Sequence, residues 1–386
     1  MEVDVIVLCL NSGSSSLKLA LFSGDERLAW CTVEGIGTAK GVSRTRGKGG
    51  AALREEPARV ANHGDAVHAG LDALLGHGFP SPAAAGHRFV HGGPRQHEPC
   101  RIDARLLAGL RAAVPFAPLH LPAAILGVEA ISARIPGLSQ VACFDTHFHW
   151  EMPEIARRLP LPRELYEAGV RRYGFHGLSY ESVVAEVGSD ALGRAVIAHL
   201  GNGASMVAIR DGRSIDTTMG MTPAGGFMMG TRSGDLDPGV LVHLLDAHHY
   251  DSRRLEELVD RRSGLLATSE STSDMRALLA ARTADGRAAL AVEMFCYQAA
   301  KAAGAFATAL GGLDSLVFTG GIGEHAAPVR EAICARLEHL GVVIDPARNA
   351  TNARVISADG SHCIAMVLPA DEERTIARQT NAVLSA

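Results

Sequence analysis

The chain has 386 residues, of which 47% are hydrophobic and 20% are charged, so its composition is typical of a folded globular protein with room for two domains. The formal net charge of −5 at pH 7 argues against nucleic acid as the main partner. Seven scattered cysteines without a CxxC pair indicate neither a disulfide framework nor a zinc site, and the first residues lack the pattern of a signal peptide, so we expect a cytoplasmic protein.

The first predicted elements are two strands joined by a polar turn. Residues 3–10 are a nearly continuous apolar run, as expected for a strand buried on both faces, and residues 17–22 predict a second strand. The turn between them, NSGSSS, places hydroxyl groups, an amide and backbone N–H groups near Lys18. Such groups suit a phosphate, although the GxxxxGK[ST] pattern of a P-loop is missing. A purely structural turn is the alternative.

The same design returns later in the chain. Residues 196–215 again predict a strand, a glycine turn and a second strand, and residues 316–325 predict a strand that runs into glycines. Glycine turns that recur so far apart predict a duplicated α/β architecture with a ligand between the halves.

The remaining segments predict helices, short strands and loops. Helices are predicted at residues 65–75, 103–114, 122–133, 179–187, 237–245, 256–262, 288–310 and 371–385. Short strands are predicted at residues 88–90 and 141–144, loops at residues 44–48 and 225–237, and an irregular segment at residues 263–276. The long apolar helix contains Glu293, Gln298 and Lys301, which favours a buried helix over a membrane span.

Several charged residues stand where ligands commonly bind. Asp145 directly follows the predicted strand 141–144, and open α/β sheets place ligand-contacting groups at the carboxyl ends of strands. Arg88 could bind a carboxylate or a phosphate through paired N–H donors. His147 and His149 lie two residues apart, but no third ligand has recognisable spacing, so zinc is not favoured.

Eight motifs, in order along the chain, resemble those of the acetate kinases, and the resemblance covers nearly the whole sequence. They are NSGSSSLK (11–18), HRFVHGG (87–93), PLH (118–120), FDTHFH (144–149), RRYGFHG (171–177), HLGNGAS (199–205), MMGTRSGDLDP (228–238) and GGIGE (320–324). The resemblance implies the α/β fold of the acetate and sugar kinase, heat-shock chaperone and actin superfamily, a duplicated actin-like (ribonuclease H-like) two-domain fold with an interdomain nucleotide cleft. It implies an N-terminal domain at residues 1–148, completed by a C-terminal helix at 373–386, and a nucleotide-binding domain at 150–372.

The resemblance also implies the reaction and its residues. The reaction is reversible phosphoryl transfer from ATP to acetate, giving acetyl phosphate and ADP in a homodimer that uses Mg²⁺ or Mn²⁺. The catalytic residues would be Asp145, His176 and Arg232, and the metal ligands Asn11 and Glu372. Substrate-binding residues would be Arg88, Val90, Leu119, His120, Phe175 and Pro223. Nucleotide-binding residues would be Lys18, His199, Leu200, Gly201, Asn202, Gly203, Asp274, Met275, Arg276, Gly321, Ile322, Gly323, Glu324 and His325.

The chain departs from the family pattern in places that bear on specificity. Leu121 and His325 stand where Asn is usual, His147 stands where Ala is usual, and residues 266–274 lack the usual glycines. These departures put the affinity for the nucleotide and the preferred base in question. The alternatives are a propionate kinase or broader short-chain acyl kinase, and an actin-like ATPase without a small-acid substrate.

Val90 is the residue from which we predict the preferred acid. A strand at residues 88–90 would point Arg88 and Val90 to one face, so that they could contact the carboxylate and the methyl group of one acid. A branched Val would fill the space that the extra carbon of propionate needs. The sequence therefore predicts a preference for acetate, with a plain core role for Val90 as the alternative.

Overall fold

A computed structural model describes residues 5–13 and 15–386 of the chain. Positions 3 and 4 of the predicted first strand and Ser14 of the predicted turn lie outside these residues. The strands are β1 (Ile6–Ser12), β2 (Ser16–Ser23), β3 (Glu26–Glu34), β4 (Val42–Gly47), β5 (Ala52–Pro57), β6 (Ala84–Phe89), β7 (Cys100–Arg101), β8 (Ser139–Phe144), β9 (Ala195–Leu200), β10 (Ala204–Arg210), β11 (Arg213–Thr217), β12 (Ser315–Thr319) and β13 (Ile364–Val367).

The helices account for most of the remaining chain. They are α1 (His63–Gly76), α2 (Ala104–Ala112), α3 (Leu121–Arg134), α4 (Glu154–Arg157), α5 (Arg163–Glu167), α6 (Gly177–Val187), α7 (Ser189–Leu192), α8 (Pro238–His248), α9 (Ser252–Arg261), α10 (Gly264–Ser269), α11 (Met275–Ala281), α12 (Gly286–Leu310), α13 (Gly320–His325), α14 (Ala327–Ala335), α15 (Pro346–Ala350) and α16 (Glu372–Ser385). Within the described part of the chain, no helix is both long and apolar enough to cross a membrane.

The chain forms two compact units. The first comprises the described residues up to Trp150 together with Gly177–Ser182 and Asp371–Ala386. The second comprises Glu151–His176 and Val183–Ala370. Each unit has its own sheet, and the helix α16 at the end of the chain belongs to the first unit.

The two sheets share one strand topology. The first has the order β5-β4-β3-β2-β1-β6-β8-β7 and the second the order β11-β10-β9-β12-β13. In both, a central strand pairs antiparallel with a hairpin partner on one side and parallel with a later strand on the other side. The series β3-β2-β1-β6-β8 therefore repeats as β11-β10-β9-β12-β13, which confirms the predicted duplicated α/β architecture.

Burial on both faces explains the apolar run in β1. Leu8 and Leu10 join a core cluster with residues of α1 and α3, whereas the alternate residues Val7 and Cys9 join a cluster with α16. This alternation follows from the two-residue period of a strand. The close approach of α16 depends on Gly86, because a Cβ there would lie 2.2 Å from the Thr380 hydroxyl.

Most predicted elements are present, but four local predictions are wrong. The supposed basic loop at residues 44–48 is largely strand β4, whose backbone pairs with β3 and β5 on either side. The supposed irregular segment at residues 263–276 contains helix α10, and the glycine turn after β12 is helix α13. Strand β6 ends at Phe89, so Val90 is not a strand residue and the same-face argument does not apply to it.

Candidate active site

The first group of predicted site residues lies at the carboxyl ends of β6 and β8. These strands are parallel neighbours in which Phe89 pairs with Phe144, so Arg88 and Asp145 come to the same edge of the sheet. Arg88 donates from Nε to Asp145 Oδ1 at 2.9 Å and from Nη2 to Asp145 Oδ2 at 2.7 Å. This two-pronged pairing fixes both side chains, because the planar guanidinium matches the carboxylate.

Asn11 connects this pair to the start of α16. It lies on β1, the other parallel neighbour of β6, and its Oδ1 accepts a hydrogen bond from Arg88 Nη1 at 2.9 Å. Its Nδ2 donates to Glu372 Oε2 at 2.7 Å and to Glu373 Oε1 at 2.9 Å. Arg88 Nη1 also lies 3.1 Å from Glu372 Oε2. The structure thus brings together four residues that the sequence predicts for the site, from positions up to 361 residues apart.

The cluster carries more negative than positive charge. Asp145 is 1% exposed and Glu372 and Glu373 are each 8% exposed, so three carboxylates are buried around Arg88. Burial by itself would lower the pKa of Arg88, but Asp145 and Glu372 outweigh burial and raise that pKa well above its usual value. The guanidinium therefore stays charged, and an excess of negative charge remains.

This excess of carboxylate oxygen fits a hard divalent cation. The described residues contain no group of three or more His, Cys, Asp or Glu side chains arranged as a complete metal site. Magnesium does not require one, because it usually keeps several waters and takes one or two protein carboxylates. Glu372 and the Asn11 amide oxygen are ligand types that suit it, and the Asn11 oxygen would exchange its hydrogen bond from Arg88 for the ion.

Other predicted substrate residues lie around the ends of these elements. Val90 follows β6 and is 6% exposed, and Leu119 and His120 directly precede α3, with His120 at the N-cap position. In the second unit Phe175 is 1% exposed and Pro223 lies in the loop before Arg232. Gly177, next to His176 in sequence, lies in the first unit, where its N–H donates to the Asp145 carbonyl at 2.9 Å.

The second group of predicted residues surrounds the hairpin of β9 and β10. His199 and Ser205 are a cross-strand pair of this hairpin. The ring of His176 stacks on the ring of His199 with centroids 4.2 Å apart, and His176 Nδ1 shares a hydrogen bond of 2.8 Å with Ser205 Oγ. His176 has a φ of 59°, a left-handed conformation that is strained in a residue with a Cβ.

Two charged or polar side chains closely approach the glycine turn of this hairpin. A Cβ on Gly203 would lie 3.2 Å from Arg232 Nη1 and 3.5 Å from His176 Nε2. Arg232 Nη1 also donates to the Pro223 carbonyl at 3.4 Å. His176, Arg232 and the backbone of the turn therefore face one small space, which suits an anionic oxygen.

A cavity of about 530 Å³ opens beside this turn in the second unit. Its lining includes eight of the predicted nucleotide-binding residues: Gly201, Asn202, Asp274, Met275, Arg276, Gly321, Ile322 and His325. The remaining lining residues, Ser273, Leu279, Ala326 and Pro328, were not predicted, although all four lie within three residues of predicted ones. The volume lies in the range of small-molecule sites.

Five predicted nucleotide residues of the second unit and Lys18 of the first do not line this cavity. His199 and Leu200 belong to β9, and Gly203 approaches Arg232. Gly323 is buried in α13, and Glu324 Oε1 accepts hydrogen bonds from the N–H groups of Gly320 and Ala370, both at 3.1 Å. Lys18 lies on β2 opposite Asn11. The contacts of Gly323 and Glu324 therefore indicate that these residues stabilise the backbone of the glycine motif at residues 320–324.

Two residues of these groups were missed by sequence reasoning. Glu373, like Glu372, accepts a hydrogen bond from the Asn11 amide. The run DEE places Glu373 next to Glu372 in sequence but does not predict this hydrogen bond. Arg330, fully buried on α14, donates from Nη1 to the carbonyls of Gly323 at 2.8 Å and Glu324 at 3.0 Å. It lies next to Val329 on the apolar face of α14. A charged residue on an apolar helix face is the sequence signal that could have identified it.

Comparisons with known proteins identify the family of this chain. The model of the acetokinase family matches residues 6–378. An acetate kinase of Rhodopseudomonas palustris (strain TIE-1) is 44% identical over 97% of both chains, and one of Sulfurovum sp. (strain NBC37-1) is 42% identical over 98% of this chain and 99% of its own.

Two solved structures share the fold over nearly the whole chain. The Porphyromonas gingivalis acetate kinase has a TM-score of 0.85 at 38% identity, covering 98% of this chain and all of its own. A propionate kinase from Francisella tularensis subsp. tularensis SCHU S4 has a TM-score of 0.90 at 35% identity with the same coverage. These findings confirm the fold that the sequence motifs imply, and the chain belongs to the acetokinase family.

Proposed function

We propose that the protein is an ATP-dependent acetate kinase that reversibly transfers a phosphoryl group to acetate, giving acetyl phosphate and ADP. The observation that carries this proposal is the network in which Arg88 pairs with Asp145 and Asn11 joins both to Glu372. A site for a small carboxylate and a metal-bound phosphate needs a fixed guanidinium beside hard oxygen ligands, and this network contains both.

Arg88 has capacity for an incoming carboxylate. Its contacts with Asp145, Asn11 and Glu372 engage Nε and Nη1 and one N–H of Nη2. The second N–H of Nη2 can donate to acetate. Acetate can also compete with Asp145 for the paired N–H donors of the guanidinium. In this proposal Asp145 orients Arg88 in the free enzyme and keeps it charged.

In the same proposal Asn11 and Glu372 hold Mg²⁺, or Mn²⁺, which when bound neutralises phosphate charge. His176 and Arg232 stabilise the charge of the transferring phosphoryl group, because such transfer needs positioned positive and hydrogen-bonding groups more than covalent help. The nucleotide occupies the cavity beside Gly201 and Asn202, where backbone N–H groups can approach phosphates closely.

The remaining parts of the proposal follow from family membership. The two units correspond to the two implied domains, and the protein acts as a cytoplasmic homodimer. Propionate is the serious alternative acid, because the propionate kinase named above has the same fold with a TM-score of 0.90. Val90, buried beside the end of β6, is the residue that we propose favours acetate.

A coupled assay of ADP formation with acetate, propionate and butyrate tests this function. We expect Mg²⁺-dependent turnover that requires the acid and falls in the order acetate, propionate, butyrate. Arg88→Ala should abolish most of the acid-dependent rate, whereas Arg111→Ala, an exposed arginine paired with Glu129, serves as the matched control. ADP formation that does not depend on any acid would instead favour an actin-like ATPase.

A further inference from the structure

A second cavity, of about 570 Å³, lies in the first unit and contains none of the predicted site residues. Its walls are the loop that follows β6, the short strand β7 and the helix α2. Three arginines line it, Arg95, Arg101 and Arg105, together with apolar side chains that include Leu106 and Phe116. The cavity therefore joins a strongly basic wall to an apolar one.

The three arginines are not neutralised by the protein. Among the described residues, no carboxylate lies within 4.0 Å of any of the three guanidinium groups, and Arg101 reaches only the Leu384 carbonyl, at 3.4 Å. By contrast Arg111, on the same helix α2 as Arg105, pairs with Glu129 at 2.6 Å. All three arginines are exposed, and a basic wall of this kind attracts anions and gains charge pairing when one binds.

One carboxylate also lines the cavity, and it has another role. Asp103 is the N-cap residue of α2, where its Oδ1 accepts a hydrogen bond from the Leu106 N–H at 2.7 Å. Three guanidinium groups against one carboxylate leave a net positive cavity. A ligand with a single negative charge would leave part of this charge unmatched, whereas two or more phosphate or carboxylate groups would match it.

The cavity is connected to the Arg88 network through the loop of residues 91–97. At its start, the Gly93 N–H donates to His91 Nδ1 at 2.7 Å, and Gly92 packs so closely that a Cβ would lie 2.1 Å from the Gln96 carbonyl oxygen. Near its end, the His97 carbonyl accepts a hydrogen bond of 3.1 Å from His147 Nδ1. The loop thus spans from the strand that carries Arg88 to the segment just after Asp145.

His147 is one of the residues at which the chain departs from its family pattern, and this bond gives it a role. The ring of His97 also stacks on Trp150, with centroids 3.5 Å apart and an interplanar angle of 9°. Movement of the loop would therefore change the surroundings of an indole ring as well as the position of His147. Trp150 is consequently a built-in reporter of the loop.

We propose that this cavity binds a small polyanion, with two or more phosphate or carboxylate groups on a short carbon body, and that binding moves the loop 91–97 and alters the affinity of the Arg88 site for its acid. The arginines would contact the anionic groups, and Leu106 and Phe116 would cover the carbon body. Occupation of the cavity is then a means of regulation distinct from the substrate sites.

Binding is tested by Trp150 fluorescence in a Trp30→Phe background, since the chain has two tryptophans. The probes are methylenediphosphonate and propane-1,2,3-tricarboxylate, with methanesulfonate as the monoanionic control. We expect a saturable change in fluorescence with at least one polyanion, weakened by added salt, and none with methanesulfonate. The stronger of the two polyanions distinguishes a phosphorylated ligand from a polycarboxylate.

The variants assign the signal to the cavity. Arg95→Gln with Arg105→Gln should weaken binding of the polyanion about tenfold or more, whereas Arg111→Gln on the same helix should change it less than about twofold. Turnover without polyanion should be unchanged in both variants. Half-buried Cys100 lines the cavity and the other cysteines are buried, so bound polyanion should also slow alkylation by N-ethylmaleimide.

Equal affinity of the double variant and the parent, or no saturable signal with either polyanion, would overturn the site. Binding that leaves the KM for acetate unchanged would overturn the connection to Arg88. The fluorescence titration contains neither ATP nor acetate, so a negative result there is independent of the proposed kinase activity.

Discussion

The two hairpins of the molecule have the same backbone design but different chemistry. In the hairpin of β1 and β2, the second cross-strand pair counted from the turn is Asn11 with Lys18. In the hairpin of β9 and β10, the second pair is His199 with Ser205. The first hairpin faces buried carboxylates and Arg88, whereas the second carries the stacked ring of His176. The duplicated topology thus provides two equivalent positions for a ligand, and the residues at each position decide what it does.

The largest expected effect is the loss of either arginine. Arg88→Ala and Arg232→Ala should each lower kcat by about a hundredfold, because each removes a charge-assisted contact in a closed site. Arg88→Ala should also lower the free energy of unfolding by about 3 to 5 kcal/mol, since Asp145 loses its partner while buried. Steady-state kinetics and urea unfolding measure the two effects. Near-normal turnover in both variants would contradict the site in both units.

A buried histidine should make the first unit sensitive to acid. His87 on β6 is 1% exposed, and burial lowers its pKa from 6.5 to about 4, whereas the equivalent strand β12 is SLVFT, without a titratable group. At a pH between 4 and 6.5 the unfolded chain binds a proton at this histidine more readily than the folded chain does. The free energy of unfolding is therefore highest above pH 6.5 and falls by about 3 kcal/mol as the pH drops to 4.

His87→Leu should remove this part of the pH dependence. The measurement is the difference in free energy of unfolding between the variant and the parent at pH 7 and pH 4.5. A difference that does not change with pH would show that burial of His87 is not what destabilises the protein in acid.

The metal requirement should depend on one of two neighbouring glutamates. Glu372→Ala should raise the Mg²⁺ concentration for half-maximal activity by about tenfold to a hundredfold. Glu373→Ala is the matched control, because Glu373 also bonds Asn11 but additionally lies 3.7 Å from Arg27. If Glu373→Ala shifts the Mg²⁺ titration and Glu372→Ala does not, the predicted ligand is the wrong one of the two.

The turn of the second hairpin should be sensitive to the addition of a single methyl group. Gly203→Ala would place a methyl group 3.2 Å from Arg232 Nη1, so we expect kcat/KM to fall about tenfold with little change in Tm. Gly304→Ala in α12 is the control, since a Cβ there meets nothing within 4 Å. An active Gly203→Ala enzyme would mean that Arg232 need not approach the turn.

The smallest expected effect concerns the choice of acid. Val90→Ala should raise the kcat/KM ratio of propionate to acetate by about tenfold, the lower end of the range of about 1 to 3 kcal/mol that one methylene group is worth in an apolar pocket. Val90 is buried but lies beyond the end of β6, so this expectation depends on the family resemblance and not on a shared strand face. An unchanged ratio would leave Val90 as a core residue.

Local sequence was sufficient wherever a periodic pattern or a contiguous motif carried the information. The strand Ser315–Thr319 was predicted to within one residue at its start, and helices α1, α3 and α12 were predicted within two residues of their bounds. Eight predicted nucleotide-binding residues also proved to line one cavity. The prediction of β4 as a loop failed because its charged residues are stabilised by pairing with strands on both sides, which a local pattern does not contain.

The sequence by itself determined the duplicated α/β class, the family and the identity of the charged residues, because these depend on short patterns and on residue types. Only the tertiary structure decided which of those residues meet. Arg88 and Asp145 are 57 positions apart and Asn11 and Glu372 are 361 apart, and they are joined by the order of parallel strands and the packing of α16. Glu373, Arg330 and the arginine-lined cavity likewise depend on contacts between distant segments, which spacing along the chain does not specify.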